Sequence, residues 1–83
     1  MLLYTGAKVN ELSGIIGLKI RQKRQENGIN QEKLALLAEI DRSYMGRIER
    51  GEVNITLEKL YRLCEVLECE AADLLPLRAE LAV

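Results

Sequence analysis

The sequence has no histidine, tryptophan or phenylalanine, and it contains a single proline and two cysteines. Without histidine there is no imidazole to act as a general base and no Cys/His zinc cluster. Three tyrosines are the only aromatic residues, too few for a platform on which single-stranded bases stack. The sequence also lacks a glycine-rich phosphate loop and a clustered set of carboxylates. We therefore predict a protein that is not an enzyme and that uses no metal or cofactor.

The two cysteines lie five positions apart, which is neither a metal-binding nor a redox spacing. Cys64 falls on the leucine stripe of a predicted helix and Cys69 on an apolar turn position, so both are interpreted as small core residues instead of a disulfide. No apolar run approaches the roughly 20 residues of a membrane span. The first residues also lack the basic and then apolar pattern of a signal peptide. These absences predict a cytoplasmic protein.

Charge is distributed unevenly along the 83 residues, which suffice for one domain with one core. The net charge of −1 argues weakly against a nucleic-acid partner. However, residues 1–50 hold nine basic and six acidic residues, a balance of +3, whereas residues 51–83 hold three and seven, a balance of −4. A basic first half with an acidic second half suits a protein that touches phosphate with one side only.

Hydrophobic periodicity and capping residues predict an all-α fold of five helices. The inward stripes include Leu12, Ile16 and Ile20 in helix 1, and Leu34, Leu37 and Ala38 in helix 2, with Ile40 buried in the following turn. Asn30, Asp41 and Thr56 are predicted N-caps, and Gly28 and Gly51 are predicted C-terminal caps. The predicted bounds are 11–27 for helix 1, 30–38 for helix 2, Arg42–Arg50 for helix 3, 57–67 for helix 4 and 70–75 for helix 5.

Three segments follow from these bounds. Residues 1–10 are predicted to be an N-terminal arm, because Gly6 and Asn10 break helices, and the arm is either disordered or ordered by a partner. Residues 11–76 are predicted to be the folded domain. Residues 77–83 are predicted to be a C-terminal tail that could add a turn, with Leu77, Leu81 and Val83 as candidates for either a dimer surface or a frayed end.

Helix 3 combines a polar face with an apolar face. On a helical wheel, one arc of roughly 140° holds five residues of small or polar character, and Met45 and Ile48 point the other way; the five are Arg42, Ser43, Gly46, Arg47 and Arg50. Arginine presents a rigid fork of donors that matches guanine or phosphate. The wheel alone leaves two interpretations open, a DNA-reading face and a solvated basic face.

The segments IGLKIRQKR and NGINQEKLALLAEIDRSYMGRIERG resemble the helix-turn-helix domain of Xre/Cro/CI-type transcriptional regulators. The resemblance covers roughly residues 14–75, and DRSYMGRIERGEVNITL is most similar to restriction–modification controller proteins. It implies a compact five-helix, lambda-repressor-like domain. It also implies a homodimer that binds a near-palindromic double-stranded DNA operator. From the length of 83 residues, which suffices for one domain, we expect no effector domain and therefore no small-molecule ligand.

The resemblance also implies roles for individual residues. Arg42, Ser43, Tyr44 and Arg47 occupy base-reading positions. Gln31, Arg50 and Asn54 occupy positions that contact phosphates. Arg24 and Glu49 occupy the positions of a structural ion pair.

Four residues depart from the family pattern: Gly46 replaces a frequent Ser, Val53 a frequent Arg, Lys23 an apolar residue and Glu70 a Ser cap. These departures leave the operator sequence open. The sequence as a whole also leaves open the choice between activator and repressor. A second hypothesis stays open as well, a protein-interaction module such as an antitoxin or anti-repressor partner, which would use the acidic, leucine-rich C-terminal half.

Overall fold

The computed structural model describes residues 6–81, with side chains described from Glu11 onward. It contains five α-helices in chain order and a 3-10 turn near the C-terminus, with no strand in that span. This confirms the predicted all-α, five-helix fold. The helices are α1 (Gly6–Glu26), α2 (Gln31–Ala38), α3 (Arg42–Glu49), α4 (Leu57–Leu67) and α5 (Ala71–Leu74), and the 3-10 turn spans Arg78–Leu81.

The start of α1 differs from the prediction by five residues. The helix begins at Gly6 instead of residue 11, so the prediction that Gly6 and Asn10 break it is wrong. Glycine lowers helix stability by only about 1 kcal/mol relative to alanine, and asparagine by less, so a long helix tolerates both. Residues 1–5 lie outside the described residues, and an N-terminal arm there stays a prediction.

Side-chain caps begin the three helices that follow α1. Asn30 Oδ1 accepts a 2.7 Å hydrogen bond from Lys33 N, and Thr56 Oγ1 accepts one of 3.2 Å from Lys59 N. Asp41 Oδ2 accepts from the backbone N of the third helical residue of α3 at 3.1 Å. Each bond satisfies a backbone N–H donor that has no partner within the helix. This explains why these three helices begin directly after the predicted N-cap residues.

The helices enclose one core of aliphatic side chains. Ile20, Leu34, Met45, Leu63 and Leu74 are fully buried, and they come from five different helices. Ile16, Ile40, Ile48, Leu60, Cys64 and Leu67 extend the same cluster. The predicted burial of Ile40 is therefore confirmed.

Leu37 is a correction, because it is 49% exposed instead of buried. The buried face of α2 consists of Leu34, Ala35 and Ala38, which share one side of the helix. At about 100° per residue, Leu37 lies roughly 110° from the centre of that face. The two alanines provide small side chains against which α3 and α4 pack, and Leu37 is turned towards solvent.

The two cysteines are free thiols, as predicted. Cys64 is buried and Cys69 partly buried against the core. Desolvation raises the pKa of both thiols, and it raises the pKa of Cys69 to about 11. Both thiols therefore stay protonated, and poorly nucleophilic, near neutral pH. Among the described residues, no helix combines the length and the apolar character needed to cross a membrane.

Close packing of α1 against the end of α3 depends on a glycine. A Cβ on Gly17 would lie 2.5 Å from the carbonyl oxygen of Ile48 and 2.6 Å from that of Glu49. Both are backbone atoms of α3 and cannot move aside separately. Gly51, at φ 73°, approaches α1 just as closely, because its Cβ would lie 2.6 Å from Gly14 Cα.

We predict opposite effects for two alanine substitutions in α1. Gly17→Ala should lower the free energy of unfolding by about 1–3 kcal/mol, because the new methyl group overlaps the α3 backbone. Gly14→Ala, whose Cβ would meet nothing within 4 Å, should raise it by about 0.5–1 kcal/mol through helix propensity. Urea unfolding followed by circular dichroism measures both. Equal effects of the two substitutions would contradict the close approach.

Candidate nucleic-acid interface

Helix α3 turns one side into the core and the other to solvent. Met45 and Ile48 are buried against the other helices, whereas Arg42, Ser43 and Arg47 are exposed. The cap at Asp41 and the left-handed residue Glu39 (φ 56°) produce the short turn that joins α2 to α3. Two short helices with a tight turn and a polar second helix are the geometry of a helix-turn-helix unit.

Six residues of this unit line one shallow depression. The depression lies where the start of α2 faces the exposed side of α3, and Gly46 forms part of its floor. It is lined by Gln31, Arg42, Ser43, Gly46, Arg47 and Arg50. The structure thus brings together five of the seven residues predicted to contact DNA, together with the departure Gly46.

The other two predicted residues lie outside the depression. Tyr44 is partly buried, and the Lys59 ammonium lies 5.4 Å from its ring centroid. Asn54 is in the loop after α3, where its Oδ1 accepts a 2.8 Å hydrogen bond from Ser13 Oγ. Asn54 therefore connects the loop to α1 through its oxygen, and this bond does not engage its two amide N–H donors.

A buried ion pair lies beneath this surface. Arg24 Nε donates to Glu49 Oε2 at 2.7 Å and Arg24 Nη2 donates to Glu49 Oε1 at 3.0 Å, a two-pronged pair whose side chains are 12% and 3% exposed. Arg24 Nη1 also donates to the carbonyl oxygen of Ile29 at 3.1 Å. The pair fastens the C-terminal end of α3 to α1 and to the segment before α2.

Gln31 connects the depression to that ion pair. Its Nε2 donates to Glu49 Oε1 at 3.1 Å, and its side chain is partly buried. One N–H of this amide is therefore directed inward, which its predicted position as a phosphate contact did not indicate. Because an amide nitrogen has two hydrogens, the bond to Glu49 orients Gln31 and leaves a second donor.

Each arginine of the α3 surface has a carboxylate partner. Arg50 Nε lies 2.7 Å from Glu52 Oε2, and Arg47 Nε lies 3.9 Å from Glu52 Oε1. Arg42 Nη1 lies 3.7 Å from Glu32 Oε2. The hydrogen bond from Arg50 holds the pKa of Glu52 below its usual value, and it raises the pKa of Arg50. The carboxylate is therefore ionised throughout the neutral pH range.

The two glutamates were not singled out from the sequence. Glu52 follows Arg50 by two positions in a loop, where spacing alone does not define the direction of a side chain. Glu32 lies ten positions before Arg42, on a different helix. Only the angle between α2 and α3 brings Glu32 and Arg42 together, so no local signal was available.

The structure explains three of the departures from the family pattern. Val53 is partly buried and packs on the core, so it has a structural role. Lys23 forms a 3.3 Å ion pair with Glu26 on the same helix. Glu70 begins α5, and its backbone N donates to Asp73 Oδ2 at 2.9 Å.

The fold and this surface define a helix-turn-helix protein, and comparisons with known proteins agree. The helix-turn-helix family model (HTH_3) matches residues 20–74. The chain belongs to this family of Xre-type helix-turn-helix proteins, and it is a DNA-binding transcription regulator.

Its relatives include restriction–modification controllers. The chain is 34% identical over 67 residues to control protein C.BamHI of Bacillus amyloliquefaciens, covering 80% of this chain and 83% of the relative. It is 34% identical over 65 residues to control protein C.SmaI of Serratia marcescens, covering 78% and 77%. The crystal structure of the restriction–modification controller protein C.AhdI from Aeromonas hydrophila superimposes with a TM-score of 0.72 at 37% identity, over 75% of this chain and 94% of that one.

We predict that Glu49→Ala lowers the free energy of unfolding by about 3–5 kcal/mol, because it leaves the Arg24 guanidinium buried without a counter-charge. Glu52→Ala, which removes an exposed carboxylate, should lower it far less, because solvent screens exposed ion pairs. Chemical unfolding measures both values.

The double variant Arg24→Met/Glu49→Met provides the control. It removes both charges and keeps side chains of similar length, so it should be more stable than Glu49→Ala alone. If the double variant is less stable than Glu49→Ala, the prediction is wrong. The attraction between Arg24 and Glu49 would then exceed the cost of burying their two charges.

Proposed function

We propose that this regulator is a homodimer that binds a near-palindromic operator and acts as an autoregulatory controller of a restriction–modification system. The observation that carries the proposal is the arginine-lined surface of α3, held in place by buried Met45 and Ile48 and by the Arg24–Glu49 pair. The similarity to C.BamHI, C.SmaI and C.AhdI supports the controller role.

In the proposed complex, α3 enters the major groove. Arg42, Ser43, Tyr44 and Arg47 contact base edges, and they determine sequence preference. Gln31, Arg50 and Asn54 contact phosphates and set the position of the domain on the duplex. Gln31 lies at the first position of α2, where the helix N-terminus favours an anion.

A near-palindromic operator requires two copies of the reading helix, related by a two-fold axis. The chain exposes several leucines that a second copy would cover. Leu77, at the start of the C-terminal tail, is 72% exposed. We therefore place the dimer contact at this tail, one of the two interpretations that the sequence left open for it. Regulation then depends on protein concentration. The dimer forms only above a threshold concentration, so the operator is occupied only when the protein exceeds that concentration.

The experiment that tests this function is fluorescence anisotropy with DNA from directly upstream of the gene and a scrambled duplex of the same composition. Binding is measured at about 50 and 200 mM salt, since phosphate contacts lose affinity steeply with salt and base contacts preserve a preference. A preference for the upstream DNA at both salt concentrations supports an autoregulatory operator. Equal and salt-erased binding to both duplexes would contradict it and would favour the protein-interaction alternative.

We predict that Arg42→Ala and Arg47→Ala each reduce operator affinity by about 1–3 kcal/mol, roughly five- to 150-fold, with much smaller effects on the scrambled duplex. The matched control is Arg62→Ala, which removes an exposed arginine from α4 that pairs with Glu58. Circular dichroism should be unchanged in all three variants. Loss of binding in the Arg62 variant alone would place the interface elsewhere.

We also predict that Leu77→Glu weakens the dimer by about tenfold or more, the value of one leucine removed from an apolar contact. Sedimentation equilibrium measures the dissociation constant. Leu36→Glu is the control, because Leu36 is 70% exposed on α2, away from the tail. A dimer that resists the change at Leu77 and dissociates with the change at Leu36 would move the contact to α2.

A further inference from the structure

Glu52 has no role in the mechanism described above, yet it contacts two of the arginines that the mechanism uses. Its Oε2 is 2.7 Å from Arg50 Nε and its Oε1 is 3.4 Å from Arg50 Nη2, so both oxygens face the guanidinium fork. The same Oε1 lies 3.9 Å from Arg47 Nε. One carboxylate is therefore shared by a proposed phosphate contact and a proposed base contact.

The bond geometry resembles the one that a phosphate would form. A phosphate offers two oxygens to the Arg guanidinium in the same side-on arrangement as a carboxylate. The donors of Arg50 that face Glu52 therefore cannot bond a phosphate at the same time. DNA must either displace Glu52 or bind through the remaining donors, and in both cases the carboxylate stays close to the DNA backbone.

Exposure makes this pairing exchangeable. The side chains of Arg47, Arg50 and Glu52 are 52%, 59% and 48% exposed, in contrast to the buried Arg24–Glu49 pair. Exposed ion pairs contribute little to folding, so Glu52 is not needed for stability. Its negative charge nevertheless remains within a few ångströms of the surface that meets phosphates.

We propose that Glu52 acts as an intramolecular competitor for phosphate, and that it lowers the affinity of this surface for any DNA backbone. The proposal rests on the DNA-binding function of the α3 surface. Its physical basis is counterion release, since an arginine already neutralised by a carboxylate adds less net positive charge to the interface than an unpaired arginine. Glu32 has the same relation to Arg42, but at 3.7 Å and with greater exposure the pair is looser.

The test is the salt dependence of binding to a non-operator duplex, measured by anisotropy for the wild type, Glu52→Gln and Glu52→Lys. Each unit of charge added to the interface should steepen the slope of log K against log salt by about 0.9. Glu52→Gln should therefore be steeper by about 0.9 and Glu52→Lys by about 1.8. At low salt the Gln variant should bind roughly two- to tenfold more tightly than the wild type.

Glu26→Gln is the matched control. It removes the same charge from an exposed ion pair with Lys23 at the end of α1, outside the lining of the α3 depression. Its slope should equal that of the wild type. An equal increase in both Gln variants would mean that only net charge matters, and the proposal would be wrong.

The other possible outcomes would each contradict the competitor role of Glu52. Weaker binding by Glu52→Gln would mean that the carboxylate positions Arg50 for its contact, and it would overturn the competitor role while leaving the DNA-binding function intact. Unchanged binding and slope would overturn it as well. If the wild type binds no duplex even at low salt, the DNA-binding function itself fails, and the inference fails with it.

Discussion

The buried pair between Arg24 and Glu49 is the interaction on which the rest of the structure depends. It joins α1 to α3, and through Gln31 and the Ile29 carbonyl it also fixes the start of α2. Burial of two charges costs several kcal/mol unless their hydrogen bonds are satisfied, so the pair tolerates little change in the helix positions. The orientation of the α3 surface therefore depends on a contact beneath it, and the charge of Glu49 is compensated there by Arg24.

Local signals explain how much of the fold could be predicted from the sequence. Asn30, Asp41 and Thr56 act through bonds to residues three positions ahead, so their effect is visible in the sequence itself. The start of α1 could not be read in this way, because glycine and asparagine weaken a helix without ending it. Leu37 was misplaced because the buried face of α2 follows Ala35 and Ala38, whose role depends on how closely other helices approach.

In the candidate site, too, contacts set by local sequence could be predicted, whereas contacts set by tertiary geometry could not. The wheel of α3 predicted which side chains share a face, and the resemblance supplied their roles, which stay predictions until binding is measured. Neither indicated that Gln31 turns inward, nor that Glu32 and Glu52 neutralise the arginines. Those contacts join residues of different elements or of a loop, so they depend on tertiary geometry. The same holds for Gly17, whose missing Cβ matters only because α3 lies against it.

The turn between α2 and α3 has a consequence for rigidity. Glu39 adopts a left-handed conformation, at φ 56°, where glycine would be unstrained. A glycine there would relieve this strain, but it would also give the unfolded chain more conformational freedom to lose on folding. Compared with a glycine, Glu39 is strained at this position, but it restricts the backbone angles that the turn can adopt. In the proposed complex, α3 would therefore meet DNA with its angle to α2 already restricted by this turn.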